Sequence, residues 1–138
     1  MLTVENALRA YAAMMNTLDV SKLEPLLAND FRYTSQMVLA EIESKAEYIT
    51  YITAKLKTLQ TLRAGGVRQG WAEMGWMDQR GGADHTVFPG PCVVLAQRSR
   101  EDLVGYVVAK VENDMIKWLA ACVAPSPYAA KRSGEYPE

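Results

Sequence analysis

The sequence predicts an α+β domain in which three helices cover one face of a curved, antiparallel (mixed) sheet of about six strands, leaving a pocket at the open end. Three observations predict it. Apolar residues recur at helical spacing over 3–18 and again over 44–61, and beyond Gly65-Gly66 no segment keeps a 3.6-residue period. The second half instead reads as four consecutive strands, and helices followed by a run of strands is the α+β pattern. A chain of 138 residues, 49% apolar, suits one such domain with a single core.

In the first helix Val4, Ala7, Leu8, Tyr11, Met14, Met15 and Leu18 share a face, with Thr3 placed to cap the start and Glu5 on its positive end. Ser21-Lys22-Leu23-Glu24 reads as a capping box opening a second, shorter helix, with Pro25 in its first turn and Leu23, Leu26 and Leu27 on its buried side. After Asn29-Asp30, residues 31–35 alternate as a strand and 38–43 return from it. Ser44-Lys45-Ala46-Glu47 is another capping box, opening the long third helix to about Thr61. Strands are expected at 67–77, 92–98, 103–112 and 115–123, the last two joined by a tight turn at Asn113-Asp114. Residues 1–124 thus form the domain, and 125–138, rich in Pro, charge and small residues, are expected as a loose tail.

A net charge of −1 supplies no field for a phosphate backbone, so nucleic acid is not an expected partner. No apolar run approaches the ~20 residues of a membrane-spanning helix, and the start lacks the pattern of a secretory signal, so a cytosolic location is expected. One His and the two separated cysteines Cys92 and Cys122 offer no metal-ligand spacing, and Gly81-Gly82 is no phosphate cradle; no cofactor is expected. Seven Met, seven Tyr and three Trp suit binding of a small apolar or aromatic molecule.

The Tyr-containing first helix, the Leu18 to Phe31 segment LDVSKLEPLLANDF and the Ile42 to Glu47 segment IESKAE resemble the nuclear transport factor 2-like superfamily over about Leu2 to Val123. That superfamily includes ketosteroid isomerase, limonene epoxide hydrolase, scytalone dehydratase and the SnoaL-like polyketide cyclases. The resemblance implies a cone-shaped α+β barrel with a pocket. Matched to ketosteroid isomerase, Tyr11 falls at the oxyanion-donor tyrosine, Ser35 where the base stands, and Val107 at about the second acid. Neither Ser35 nor Val107 can do the work of the acid it replaces, so the unmodified isomerase reaction is not expected. The water-activating carboxylate pair of the epoxide hydrolases is also missing from Leu103, Gly105, Val107, Ala109 and Val111, the expected inward face of its strand.

Two residues are candidate catalytic groups. Tyr11 would donate a hydrogen bond, and His85, beside Asp84, would be a general base unless it is simply solvated in its Gly-rich loop. Tyr33 and Ser35 should face the same cavity as Tyr11, as ligand-binding groups or as core residues. Met15, Trp71, Trp76, Val107 and Trp118 complete the expected ligand-binding set, each with a core role as its alternative. Val104, Tyr106 and Val108 make the other sheet face too apolar for water, which predicts a homodimer built sheet against sheet. Three functions stay open: a cofactor-independent isomerase, lyase or cyclase using Tyr11, a non-catalytic binding module, and a dimerising scaffold.

Overall fold

The computed structural model describes residues 1–37, 40–78 and 89–138. Helix α1 spans Val4–Thr17, and the Asn6 amide donates to Thr3 Oγ1 at 3.1 Å, the cap its sequence calls for. Helix α2 spans Lys45–Ala64, capped by Ser44, whose Oγ accepts from the Glu47 amide at 3.1 Å. It ends at Gly65, and Gly66, at φ 87°, turns the chain away.

The expected second helix is instead two 3-10 turns, Val20–Lys22 and Glu24–Leu26. Asp19 takes the capping position, accepting from both the Ser21 amide (3.0 Å) and the Ser21 hydroxyl (2.6 Å), so Ser21 is not free to cap. Pro25 then has no N–H to carry an α-helical bond back to residue 21.

The strands are β1 (Leu27–Ser35), β2 (Ala40–Ile42), β3 (Trp71–Met77), β4 (Gly90–Ala96), β5 (Leu103–Glu112), β6 (Met115–Cys122) and β7 (Lys131–Arg132). They form one open sheet in the order β2-β1-β6-β5-β4-β3-β7. Only β1 and β6 pair in parallel, which makes the sheet mixed. Asn113 and Asp114 both have positive φ, as the two-residue turn between β5 and β6 requires. On one face α1 packs over β3, β4 and β5, and α2 over β1. Leu8, Met14, Phe31, Tyr48, Val93, Val107 and Leu119 are buried between helices and sheet.

Two bulges decide which residues face the helices. Leu95 pairs with Gly105 but Ala96 pairs with Leu103, so Val104 is the extra residue in β5. A one-residue slip exchanges faces. Leu103, expected inward, packs in the outer cluster, and Val104, expected outward, packs with the helix-side core. A second slip, between Lys110 and Val111, turns Ile116 inward and leaves Trp118 on the outer face.

Part of the outer face is covered within the single chain. Tyr106, Val94, Ala120 and Cys122 are buried there, and a 3-10 turn at Pro127–Ala129 packs on β5. Tyr128 Oη accepts from the Leu103 amide at 3.1 Å and donates to the Glu101 carbonyl at 3.0 Å. The apolarity that suggested a second copy is therefore satisfied at least in part by the chain's own C-terminal segment.

That segment is not loose. β7 pairs with β3, and the Met74 amide donates to the Glu135 carbonyl at 2.9 Å. Gly75 permits this approach, because a Cβ there would lie 3.0 Å from the Lys131 carbonyl oxygen. Buried Glu73 accepts from Arg132 Nε (2.7 Å) and the Gly134 amide (2.8 Å). Edge pairing and one buried ion pair order a segment whose composition has little apolar surface to bury. No helix among the described residues is long and apolar enough to cross a membrane.

Candidate functional site

The bulge at Val104 helps shape a cavity of about 170 Å³ between the helices and the β4–β5 end of the sheet. Met15 of α1, Lys55 and Leu59 of α2, Trp71 of β3, Leu95 of β4, Val104 and Met37 line it, together with Gln69, Gly70, Ala96 and Gln97. Met37 crosses the sheet here because Gly105 leaves room: a Cβ at that position would lie 3.1 Å from Met37 Sδ. The volume is close to the ~150 Å³ of an apolar cavity that holds one benzene ring.

Helical spacing ties this cavity to a group of phenols. Tyr11 lies one turn before Met15 on α1, and Tyr51 one turn before Lys55 on α2. Tyr33, Tyr48 and Tyr51 pack ring to ring, Tyr48 lying 5.1 Å from Tyr33 and 6.3 Å from Tyr51, with Phe31 4.9 Å from Tyr48. Burial, then repulsion from Tyr33 and Tyr51, holds the Tyr11 hydroxyl far above the ordinary phenol range. Burial likewise raises Tyr48. Tyr33 is pushed up to about 12 by burial first and by Tyr51 next, with Ser35 pulling the other way. These hydroxyls stay protonated at neutral pH and serve as donors, not bases. The Tyr48 hydroxyl is buried with no hydrogen-bond partner among the described residues, a costly arrangement for a phenol.

The structure thus brings Tyr11, Tyr33 and Ser35 into one neighbourhood and sets Met15 and Trp71 in the cavity wall. It does not gather the rest of the expected set there. Val107 is buried against the core opposite Val93 and does not line the cavity. Trp118 packs on the outer face, on the same side of β6 as Ala120 and Cys122. Trp76 is 46% exposed and borders a surface groove with Arg9 and Glu135 near the start of α1. His85 lies outside the described residues.

Four residues were not among the expected site residues. Leu59 belongs to the apolar run of α2 and Lys55 lies one turn before it, and nothing in their spacing alone marks a cavity wall. Tyr48 was read only as part of the helix's apolar run. Asn16 is buried at the end of α1, where its amide donates to the Ala72 carbonyl (2.8 Å) and the Pro137 carbonyl (2.8 Å) while its oxygen accepts from the Ala72 amide (2.9 Å). It locks α1, β3 and the C-terminal segment together beside the cavity. The only signal for it was an amide near a helix end, which is more commonly a solvated cap.

Among the described residues no group of three His, Cys, Asp or Glu side chains is placed to hold a metal ion. No carboxylate of the described residues lines the cavity either.

No protein-family model and no curated protein matches the chain. Solved structures do. An NTF2-like protein of unknown function from Cytophaga hutchinsonii superposes with a TM-score of 0.54 at 11% identity, over 88% of this chain and 89% of its own. A candidate polyketide cyclase from Sinorhizobium meliloti gives 0.53 at 13% identity, over 81% and 89%. A SnoaL-like protein of unknown function from Burkholderia thailandensis gives 0.50 at 11% identity, over 96% and 100%. At these identities the likeness is one of fold.

Proposed function

We infer function from the NTF2-like fold that the chain shares with these structures. We propose that the chain binds a small, largely apolar molecule in the cavity between α1, α2 and the bulged end of β4 and β5. The observation that carries this is the cavity itself: about 170 Å³, walled by Met15, Met37, Leu59, Trp71, Leu95 and Val104, with Lys55, Gln69 and Gln97 the polar residues among the described lining. An apolar wall with a few polar groups is the usual make-up of a small-molecule site. Two flexible thioethers let it adapt to ligand shape.

Tyr11 and Tyr48 lie outside the cavity lining, so their protonated phenols would meet an acceptor oxygen only on a ligand that reaches past Met15. Binding is favoured over turnover, because no carboxylate lines the cavity among the described residues. A second reading, a cofactor-independent isomerase, lyase or cyclase, is supported by one observation: burial keeps Tyr11 a donor at any physiological pH, as stabilisation of a developing oxyanion needs. The structural neighbour described as a candidate polyketide cyclase agrees with either reading at the level of fold.

The test is a calorimetric titration with the neutral probe phenylacetamide. Saturable one-to-one binding is expected, lost in Val104→Trp, whose added bulk fills the cavity. Absence of saturable binding for both this probe and phenylacetate, or binding untouched by that substitution in a folded variant, refutes the assignment. Tyr11→Phe then separates the two readings: a ligand transformed by the native chain and left unchanged by the variant places Tyr11 in a reaction.

A further inference from the structure

The charge on the cavity wall is positive. Lys55 is the only charged residue among those lining it, and among the described residues it forms no ion pair or hydrogen bond. Two turns further along α2, Arg63 gives Nη1 to the Asn16 carbonyl at 2.8 Å while its Nε and Nη2 are buried with no partner. Arg68 lies 5.1 Å over the ring of Trp71, a wall residue, and its Nε donates to the carbonyl of Gly70, another wall residue, at 3.3 Å. Neither arginine is ion-paired among the described residues, whereas Arg9, Arg32, Arg98, Lys117, Lys131 and Arg132 all are. Glu138 and Tyr136 favour the charge on Arg68, and Arg63 and Arg100 oppose it, with burial the larger opposing influence.

We propose that the cavity selects an anion: a carboxylic acid whose aromatic or aliphatic part fills the apolar interior and whose carboxylate meets Lys55 at the rim. This rests on the cavity being a ligand site, and it names the class of ligand. Lys55 is exposed, so a ligand reaches it from solvent, yet desolvation still holds its ammonium below the ordinary lysine range. The exposure is the weightier of the two facts, since it makes the cation available. The side-chain amides of Gln69 and Gln97 make no hydrogen bond among the described residues and add neutral donors on the same wall. One ammonium with amide donors matches the single charge of a carboxylate, and a cavity sized for about one ring matches a short hydrocarbon part.

The experiment compares three probes of one shape on the full chain at neutral pH by calorimetry: phenylacetate, phenylacetamide and phenethylamine. Phenylacetate should bind about tenfold tighter than phenylacetamide, the worth of one charged hydrogen bond at a partly exposed site, and phenethylamine should bind weakest. Lys55→Met should bring phenylacetate and phenylacetamide within about twofold of each other, and Lys55→Arg should keep most of the preference. Equal or tighter binding of the amide in the native chain overturns the selectivity for anions and leaves the binding site standing. Failure of both phenylacetate and phenylacetamide to bind overturns the binding site and this inference with it.

Discussion

Arg132→Leu isolates what the C-terminal segment contributes to the fold. The guanidinium gives Nε to Glu73 Oε1 at 2.7 Å and Nη2 to the Arg100 carbonyl at 2.6 Å. Its removal leaves Glu73, whose side chain is 5% exposed, with the Gly134 amide as its remaining partner among those described. Stripping one partner from a buried pair costs about 3–5 kcal/mol. The arginine side chain is 32% exposed, so solvent screening places the expected loss at the low end, about 3 kcal/mol. At about 2.1 cal/mol/K of unfolding entropy per residue, a chain of 138 residues then melts about 10 °C lower. Thermal unfolding followed by far-ultraviolet circular dichroism measures this directly. The double variant Glu73→Leu with Arg132→Leu should regain much of the loss, because no buried charge is then left alone. A fall of less than about 2 °C for Arg132→Leu would refute the reasoning, since it would mean that Glu73 draws nothing from its arginine.

Alkaline stability should report on the tyrosine group. Tyr33 is raised to about 12 in the folded chain, so its contribution is complete below the unfolded value near 10 and is lost as pH climbs from there to about 12. A two-unit shift corresponds to roughly 3 kcal/mol, read as a falling denaturant midpoint over that window in native protein and a flatter profile in Tyr33→Phe; identical profiles would contradict it. Cys92 is buried and its thiol is pushed up to about 12, chiefly by desolvation, so a thiol reagent at pH 8 should label it only on the timescale of unfolding. Prompt labelling of Cys92 in native buffer would count against its placement. Ser44→Ala should cost about 1 kcal/mol through loss of the α2 cap, measured by urea denaturation, with no change expected if the hydroxyl does nothing for the Glu47 amide.

Both long helices were legible because their signals are local: an apolar stripe, a capping hydroxyl and a terminating glycine each act within a few residues. Thr3 and Ser44 cap as their positions suggest. The two-residue turn at Asn113-Asp114 was legible for the same reason. What stayed hidden depends on partners distant in sequence. The bulges beside Val104 and Lys117 have no local signature, and each reverses the faces of the residues beyond it, which is why Leu103, Val104 and Ile116 lie opposite to strict alternation. The order of residues 125–138 comes from strand β3 and from Glu73, about sixty positions away, not from their own composition. Of the candidate site, Tyr11, Tyr33 and Met15 could be placed from periodicity, whereas Lys55 enters the wall only because the bulged strand opens a cavity opposite α2.

The most direct test of a ligand cavity under the helices is a methyl spectrum of the protein carrying ¹³C at its methionine methyl groups, recorded during titration with phenylacetamide. Met15 and Met37 line the cavity, while Met14 is packed in the core and Met77 on the outer face. The account predicts that the Met15 and Met37 resonances move together and saturate while those of Met14 and Met77 stay within about a tenth of that shift. Saturating shifts at Met77 with Met15 and Met37 unmoved would place the ligand on the other side of the sheet and contradict it.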